Sequence, residues 1–192
     1  MSDPSTKPVN VDFTGIFDLA TFAPAPASSP EQEKKIDEET EIGARALNDN
    51  GAYVRVRMVT PGKPPVISPL QPEILVIEDD VATATLIERV LTKHKFKVRR
   101  AHNRAEVIAA LNDAMYDLVL LDIILPDTNG FDILARMRSH PRLSEVPVLM
   151  LTSLTDTADV GKGLRLGVNG YLSKPVSPKT LIDSIIECRG ER

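Results

Sequence analysis

The sequence predicts an α/β fold of three layers: a doubly wound, five-stranded parallel sheet between helices, preceded by a largely irregular N-terminal extension. Three observations carry this. Strand-like and helix-like segments alternate five times over residues 73–192. The runs Ile74-Leu-Val-Ile77 and Leu118-Val-Leu-Leu121 are wholly apolar, the pattern of strands buried on both faces beneath helices. Four strands end abruptly on polar groups: Glu78-Asp79-Asp80, Asp122, Thr152-Ser153 and Lys174-Pro175. In a parallel sheet those ends meet at one edge, and open α/β sheets bind ligands there.

The elements follow in order. Residues 1–30 are rich in Pro, Ala, Ser and Thr and are expected to lack fixed structure. Within them Phe13, Ile16, Phe17 and Ala20 stand at helical spacing, and Phe22 follows. Residues 11–22 therefore read either as a segment that docks on a partner or back on its own chain, or as a solubilising tail. A helix is expected from Glu31 to Asn48, with Ser28 or Ser29 near its start and Pro30 in its first turn. Its apolar stripe of Ile36, Thr40, Gly43 and Leu47 is too thin to form a core alone. Asn50-Gly51 marks a stop, and residues 52–59 alternate like a strand, with Val54, Val56 and Met58 on one face. This 31–60 extension can add a helix and a strand to a partner or a second copy. The chain divides near residue 72, since ten of the fifteen prolines lie at or before Pro72, and residues 61–72, with Pro61, Pro64, Pro65, Pro69 and Pro72, form a Pro-rich linker.

Beyond the linker, strands are predicted at 73–78, 95–100, 117–122, 146–152 and 169–173. Helices are predicted near 81–93, 104–114, 129–139, 155–166 and 178–189. The second strand alternates Phe96 and Val98 with Lys97 and Arg99, as an edge strand does. Its lysines either guard that edge against pairing or dock an acidic partner. The fourth of these helices carries Gly161 and Gly163 in its middle, each costing about 1 kcal/mol relative to Ala. They mark either close packing or an element that shifts easily.

Bulk properties narrow the function. A net charge of −4 argues against a general nucleic-acid binder. No apolar stretch is long enough to span a bilayer, and the first residues do not read as a secretory signal. The lone Cys188 has no partner for an internal disulfide, and a reducing cytoplasm fits best.

Taken together, residues 73–192 resemble the receiver domain of two-component response regulators. The resemblance rests on Glu78-Asp79, Asp122, Thr152 and Lys174-Pro175 at successive strand ends, separated by 43, 30 and 22 residues from Asp79 onward. Pro126, Gly130 and Gly170-Tyr171 also fit. It implies a flavodoxin-like sheet with strand order 2-1-3-4-5. It implies Mg²⁺ held by Asp79, Asp122 and the backbone carbonyl of Ile124, with Glu78 acting at longer reach. The physics agrees, because crowded carboxylates want a cation and Mg²⁺ takes hard oxygen ligands. Asp80 falls outside the acid pair and reads as a helix N-cap.

By the same resemblance Asp122 accepts a phosphoryl group from a phosphohistidine on a sensor histidine kinase or phosphotransfer protein. Thr152 and Lys174 assist, and Lys174-Pro175 holds a cis peptide. Phosphorylation draws Thr152 inward and lets Tyr171 turn from an exposed to a buried position. This alters the face built from the receiver's fourth helix, fifth strand and fifth helix, through which a downstream protein is expected to bind, with the N-terminal segment as a second candidate surface; a homodimer is also open. Tyr171 can also be read as a partly buried core residue. Apolar Ile124 and Leu154 beside the phosphoryl group predict slow self-dephosphorylation. About three residues follow the last helix, so output is expected through protein contacts or the N-terminal region rather than a C-terminal domain.

Other classes fit less well. A hydrolase of the haloacid-dehalogenase-like group wants an Asp-x-Asp motif after the first strand, whereas here the acids are contiguous. No Gly-x-Gly-x-x-Gly or P-loop follows a strand. The alternative kept open is a phosphorylation-controlled nucleic-acid-binding regulator using Arg55, Arg57 and the basic run 93–104.

Overall fold

A computed structural model describes residues 29–55, 71–153 and 157–190. Helix α1 (Pro30–Asn50) starts at Ser29, whose side chain accepts from the Gln32 N–H while Gln32 answers the Ser29 N–H, a reciprocal cap. It stops at Gly51, whose φ of 72° places it in the left-handed region. Strand β1 (Ala52–Val54) follows. The regular alternation then runs β2 (Glu73–Ile77), α2 (Val81–Lys93), β3 (Lys97–Ala101), α3 (Arg104–Asp113), β4 (Leu118–Asp122), α4 (Gly130–Ser139), β5 (Val148–Thr152), α5 (Thr157–Arg165), β6 (Gly170–Ser173) and α6 (Pro178–Arg189).

Among the described residues the sheet has six strands, in the order β1-β6-β5-β4-β2-β3. Strands β2 to β6 are parallel and take the expected 2-1-3-4-5 order. The strand expected at 52–59 appears as β1, which adds a sixth strand by pairing antiparallel with β6 in the register Ala52↔Leu172, Tyr53↔Tyr171, Val54↔Gly170. Gly170 permits this close approach, because a Cβ there would lie 2.4 Å from the Tyr53 carbonyl oxygen. The helix expected from Glu31 to Asn48 is present as α1, 21 residues long.

Two apolar layers cover the sheet. One joins α3, α4 and α5 through residues such as Val107, Ile133, Leu134 and Val160. The other joins α2 and α6 through Ile87, Leu91, Leu181 and Ile185. The thin stripe of α1 does not stand alone: Ala44 and Leu47 are buried in the first layer, with Ile36 packed against it. The extension thus folds on its own chain, over α5 and β6. Residues 11–22, Val56, Arg57, Met58 and Leu154 lie outside the described residues.

Helix α5 resolves the two readings of its glycines in favour of close packing. A Cβ on Gly163 would fall 1.9 Å from the Tyr171 hydroxyl oxygen. One on Gly161 would meet Thr40 of α1 at 3.2 Å, and one on Gly43 of α1 would meet Val160 at 3.2 Å. Strand β3 lies at the far edge of the sheet, as its half-polar pattern predicts. Its cations are partnered: Lys97 with Glu73, Arg99 with Asp113 and Arg100 with Glu88.

Candidate functional site

The parallel register decides what meets at the sheet edge. Ile77 pairs with Leu121, Asp122 with Leu151, and Thr152 with Ser173. Each strand ends within a residue of its neighbour, so Glu78, Asp122, Thr152 and Lys174 converge. Asp80 accepts from the Thr83 N–H at 2.8 Å and caps α2, which leaves Asp79 free to face the edge. Gly130 begins α4 directly against the strand end, where a Cβ would come within 2.2 Å of the Asp122 carbonyl oxygen. Only glycine allows this approach.

The charges are concentrated. Glu78 is 1% and Asp122 5% exposed. Carboxylate oxygens of Glu78, Asp79 and Asp122 lie within 4.8 Å of one another. The Lys174 ammonium enters this cluster, 2.6 Å from Asp122 Oδ2 and 2.7 Å from Glu78 Oε2. The first contact is an aligned hydrogen bond. The second is a charge contact, and Glu78 Oε2 is buried without an aligned donor. Asp122 Oδ1 accepts from the Ile124 N–H at 3.2 Å, and Glu78 Oε1 from the Asp80 N–H at 3.3 Å.

Burial raises the Glu78 carboxyl above its usual range, and the neighbouring Asp122 charge adds to this against the pull of Lys174. For Lys174 burial acts downward, but its hydrogen bond to Asp122 and its close contact with the Glu78 carboxylate win, and the ammonium is held above its ordinary value. Three carboxylates against one ammonium leave an excess of negative charge. An all-oxygen donor set with one buried oxygen lacking an aligned donor fits a hard divalent cation such as Mg²⁺.

Thr152 is buried at the end of β5, and its carbonyl accepts from the Lys174 N–H at 2.7 Å. The Lys174–Pro175 peptide is cis. Tyr171 is 1% exposed, and its hydroxyl donates to the carbonyls of Asp159 and Val160 at 3.0 and 3.1 Å. It stands in the buried position. Ile124 is 63% exposed on the rim of the site.

One neighbour escaped the sequence reading. The His102 ring Nδ1 lies 2.8 Å from the Glu78 carbonyl oxygen. The signal was present in the register, since Ile77 pairs with Ala101 and the next residues must adjoin. Arg55 of the basic alternative forms an ion pair with Glu39 at 2.9 Å. Among the described residues no helix is long and apolar enough to cross a membrane.

Comparison with known proteins agrees with this geometry. A family profile described as the response regulator receiver domain matches residues 74–186. The chain is 40% identical over 112 residues to the transcriptional regulatory protein GltR of Pseudomonas aeruginosa, covering 58% of this chain and 46% of that one. It spans about half the length of the curated relatives it matches. A response regulator from Chloroflexus aurantiacus superposes with a TM-score of 0.60 at 30% identity, over 63% of this chain and 99% of its own. The receiver domain of the sensor histidine kinase PA1611 of Pseudomonas aeruginosa, solved with magnesium coordinated in its active-site cleft, gives a TM-score of 0.58 at 26% identity. That match covers 63% of this chain and 99% of the other.

Proposed function

The chain belongs to the response regulator receiver family, and on that footing we propose that it is a phosphorylation-controlled signalling switch whose phosphoacceptor is Asp122. The carrying observation is the Lys174 ammonium seated between two buried carboxylates at a sheet edge. A carboxylate is a weak nucleophile, so transfer to it depends on alignment and charge neutralisation. The donor is a phosphohistidine of a sensor histidine kinase or phosphotransfer protein. Its P–N bond breaks as a bond forms from phosphorus to an Asp122 carboxylate oxygen, and the leaving imidazole takes up a proton.

Lys174, already 2.6 Å from Asp122, screens the incoming phosphoryl oxygens. Thr152 donates its hydroxyl to one of them. Glu78, Asp79, Asp122 and the Ile124 carbonyl are the groups that would hold Mg²⁺. When bound, the cation supplies charge neutralisation at the phosphoryl oxygens. Such a protein is a switch that holds one phosphoryl group rather than a turnover enzyme, and its donor places it in the cytoplasm. Ile124 on the rim offers no hydrogen bond to an attacking water, which supports a long-lived acyl phosphate. Drawing Thr152 toward the phosphoryl group makes room for inward Tyr171, a population shift between two arrangements. A downstream protein reads the result through α5, β6 and α6, together with what covers them. Nucleic-acid binding by Arg55 and the β3 cations is the weaker reading, since those groups are already paired with acids.

Intact mass after incubation with acetyl phosphate tests the assignment. One Mg²⁺-dependent phosphoryl adduct is expected in the wild type and none in Asp122→Asn. An adduct that persists in the variant would overturn it.

A further inference from the structure

The N-terminal extension grips the two elements between which Tyr171 is held. Strand β1 pairs with the backbone of Tyr171 itself, through Tyr53, and covers the edge of β6. Helix α1 lies on α5, whose Asp159 and Val160 carbonyls accept the Tyr171 hydroxyl. The helix contact is close because Gly43 faces Val160 and Gly161 faces Thr40. Charge adds to it: Arg165 of α5 meets Glu33 at 3.0 Å and Asp37 at 2.7 Å. Tyr53 donates its hydroxyl to Glu39 at 2.7 Å, which ties β1 back to α1. β1 thus occupies the sheet edge beside Tyr171, and α1 covers the helix whose carbonyls accept its hydroxyl.

We propose that α1 and β1 form a strap that holds Tyr171 inward, and that this strap is positively linked to phosphoryl occupancy of Asp122. The proposal rests on the phosphoacceptor reading above, in which the loaded site favours inward Tyr171. In that case the strap pre-organises the site by excluding the arrangement with Tyr171 out. Linkage is reciprocal: whatever factor the strap adds to affinity at Asp122, occupancy of Asp122 adds to docking of the strap. The face of α5 and β6 is then filled by the chain's own acidic helix, which carries seven acidic and three basic residues over 30–50.

Beryllofluoride, a mimic of the phosphoryl group, tests this in the full chain with Mg²⁺ present. Hydrogen exchange and fluorine NMR follow strap and site separately. In the wild type, loading is expected to slow exchange over 124–130 and also over the α1 amides 33–47. Gly43→Leu places bulk against Val160 and the Tyr53 ring while raising helix propensity, so it undocks α1 without melting it. It is expected to weaken beryllofluoride binding about fivefold or more, a usual size for coupling between sites. The exposed pair Glu33→Lys, Asp37→Lys reverses the contacts to Arg165 without touching the core, and should weaken binding in the same direction. Protection at 124–130 with unchanged 33–47, or equal affinity in both variants, would make the strap a purely structural addition. Tighter binding in the variants would reverse the sign and overturn the proposal. No binding to the wild type would remove the phosphoacceptor reading, and the linkage with it.

Discussion

Replacing Lys174 by Met keeps an unbranched side chain only one heavy atom shorter and removes its charge. The ammonium is the described cation within 2.7 Å of both Glu78 and Asp122. Without it two buried carboxylates stand within 4.8 Å of each other. At an effective dielectric near 20 their repulsion is about 3.5 kcal/mol. Breaking a buried pair by removing one partner costs about 3–5 kcal/mol, which agrees. For a chain of this size the melting temperature should fall by about 10 °C at pH 7.5 in the presence of a chelator.

The loss should depend on pH in a definite direction. Burial and the Asp122 charge already raise the Glu78 carboxyl, and losing the ammonium raises it further. An acid whose native pKa exceeds its unfolded value binds its proton first in the native state. Between the two values the native chain holds more protons, so stability is recovered as pH falls and lost as pH rises. Urea unfolding of wild type and variant at pH 7.5 and pH 5 should therefore show a gap that narrows at the lower pH. Millimolar Mg²⁺ should narrow it at pH 7.5, by supplying positive charge to the same oxygens. A gap equal at both pH values and insensitive to Mg²⁺ would refute the electrostatic account of the site.

Three further changes test the surrounding structure. Gly163→Ala should displace the Tyr171 hydroxyl, destabilise the chain by about 2 kcal/mol as an overpacked site does, and alter the near-ultraviolet tyrosine signal. Adding Tyr171→Phe should restore part of that loss. Leu47→Ala should cost about 2–4 kcal/mol in a single urea transition, since Leu47 is 1% exposed in the same layer as α3, α4 and α5. A separate early transition would show instead that α1 folds independently. Ile124→Asn should shorten the acyl-phosphate half-life, measured by loss of the adduct mass, because its amide can orient an attacking water.

The parallel core was legible because each signal was local. Leu118 to Leu121 announce a strand buried on both faces, and Asp122 ends it. Once strands are parallel and crossovers right-handed, their polar ends have one edge to share. Ser29 and Gly51 likewise mark the ends of α1 through backbone groups only a few residues away. The destination of α1 had no such signal. Its docking depends on Gly43 meeting Val160 and Thr40 meeting Gly161, residues far apart in sequence that read singly as a weak stripe and two costly glycines.

Tyr171 shows why that missing contact matters for function as well as for the fold. From the sequence Tyr171 read either as the family's switch residue or as a partly buried core tyrosine, and neither reading fixes its position. In this chain Gly163 makes room for the hydroxyl, two α5 carbonyls accept it, and Tyr53 pairs with its backbone. Two of those three constraints lie within the receiver core, but the third comes from β1, beyond the 74–186 span of the family match. A population shift needs both arrangements to be within a few kcal/mol. Under the proposed strap, added pairing on β6 and packing on α5 favour one of them before any phosphoryl group arrives. If the proposed strap holds, the balance of the switch is a property of the extension and the core together, and Lys174, which follows β6, and Tyr53, which pairs with Tyr171 within it, belong to the same energetic argument.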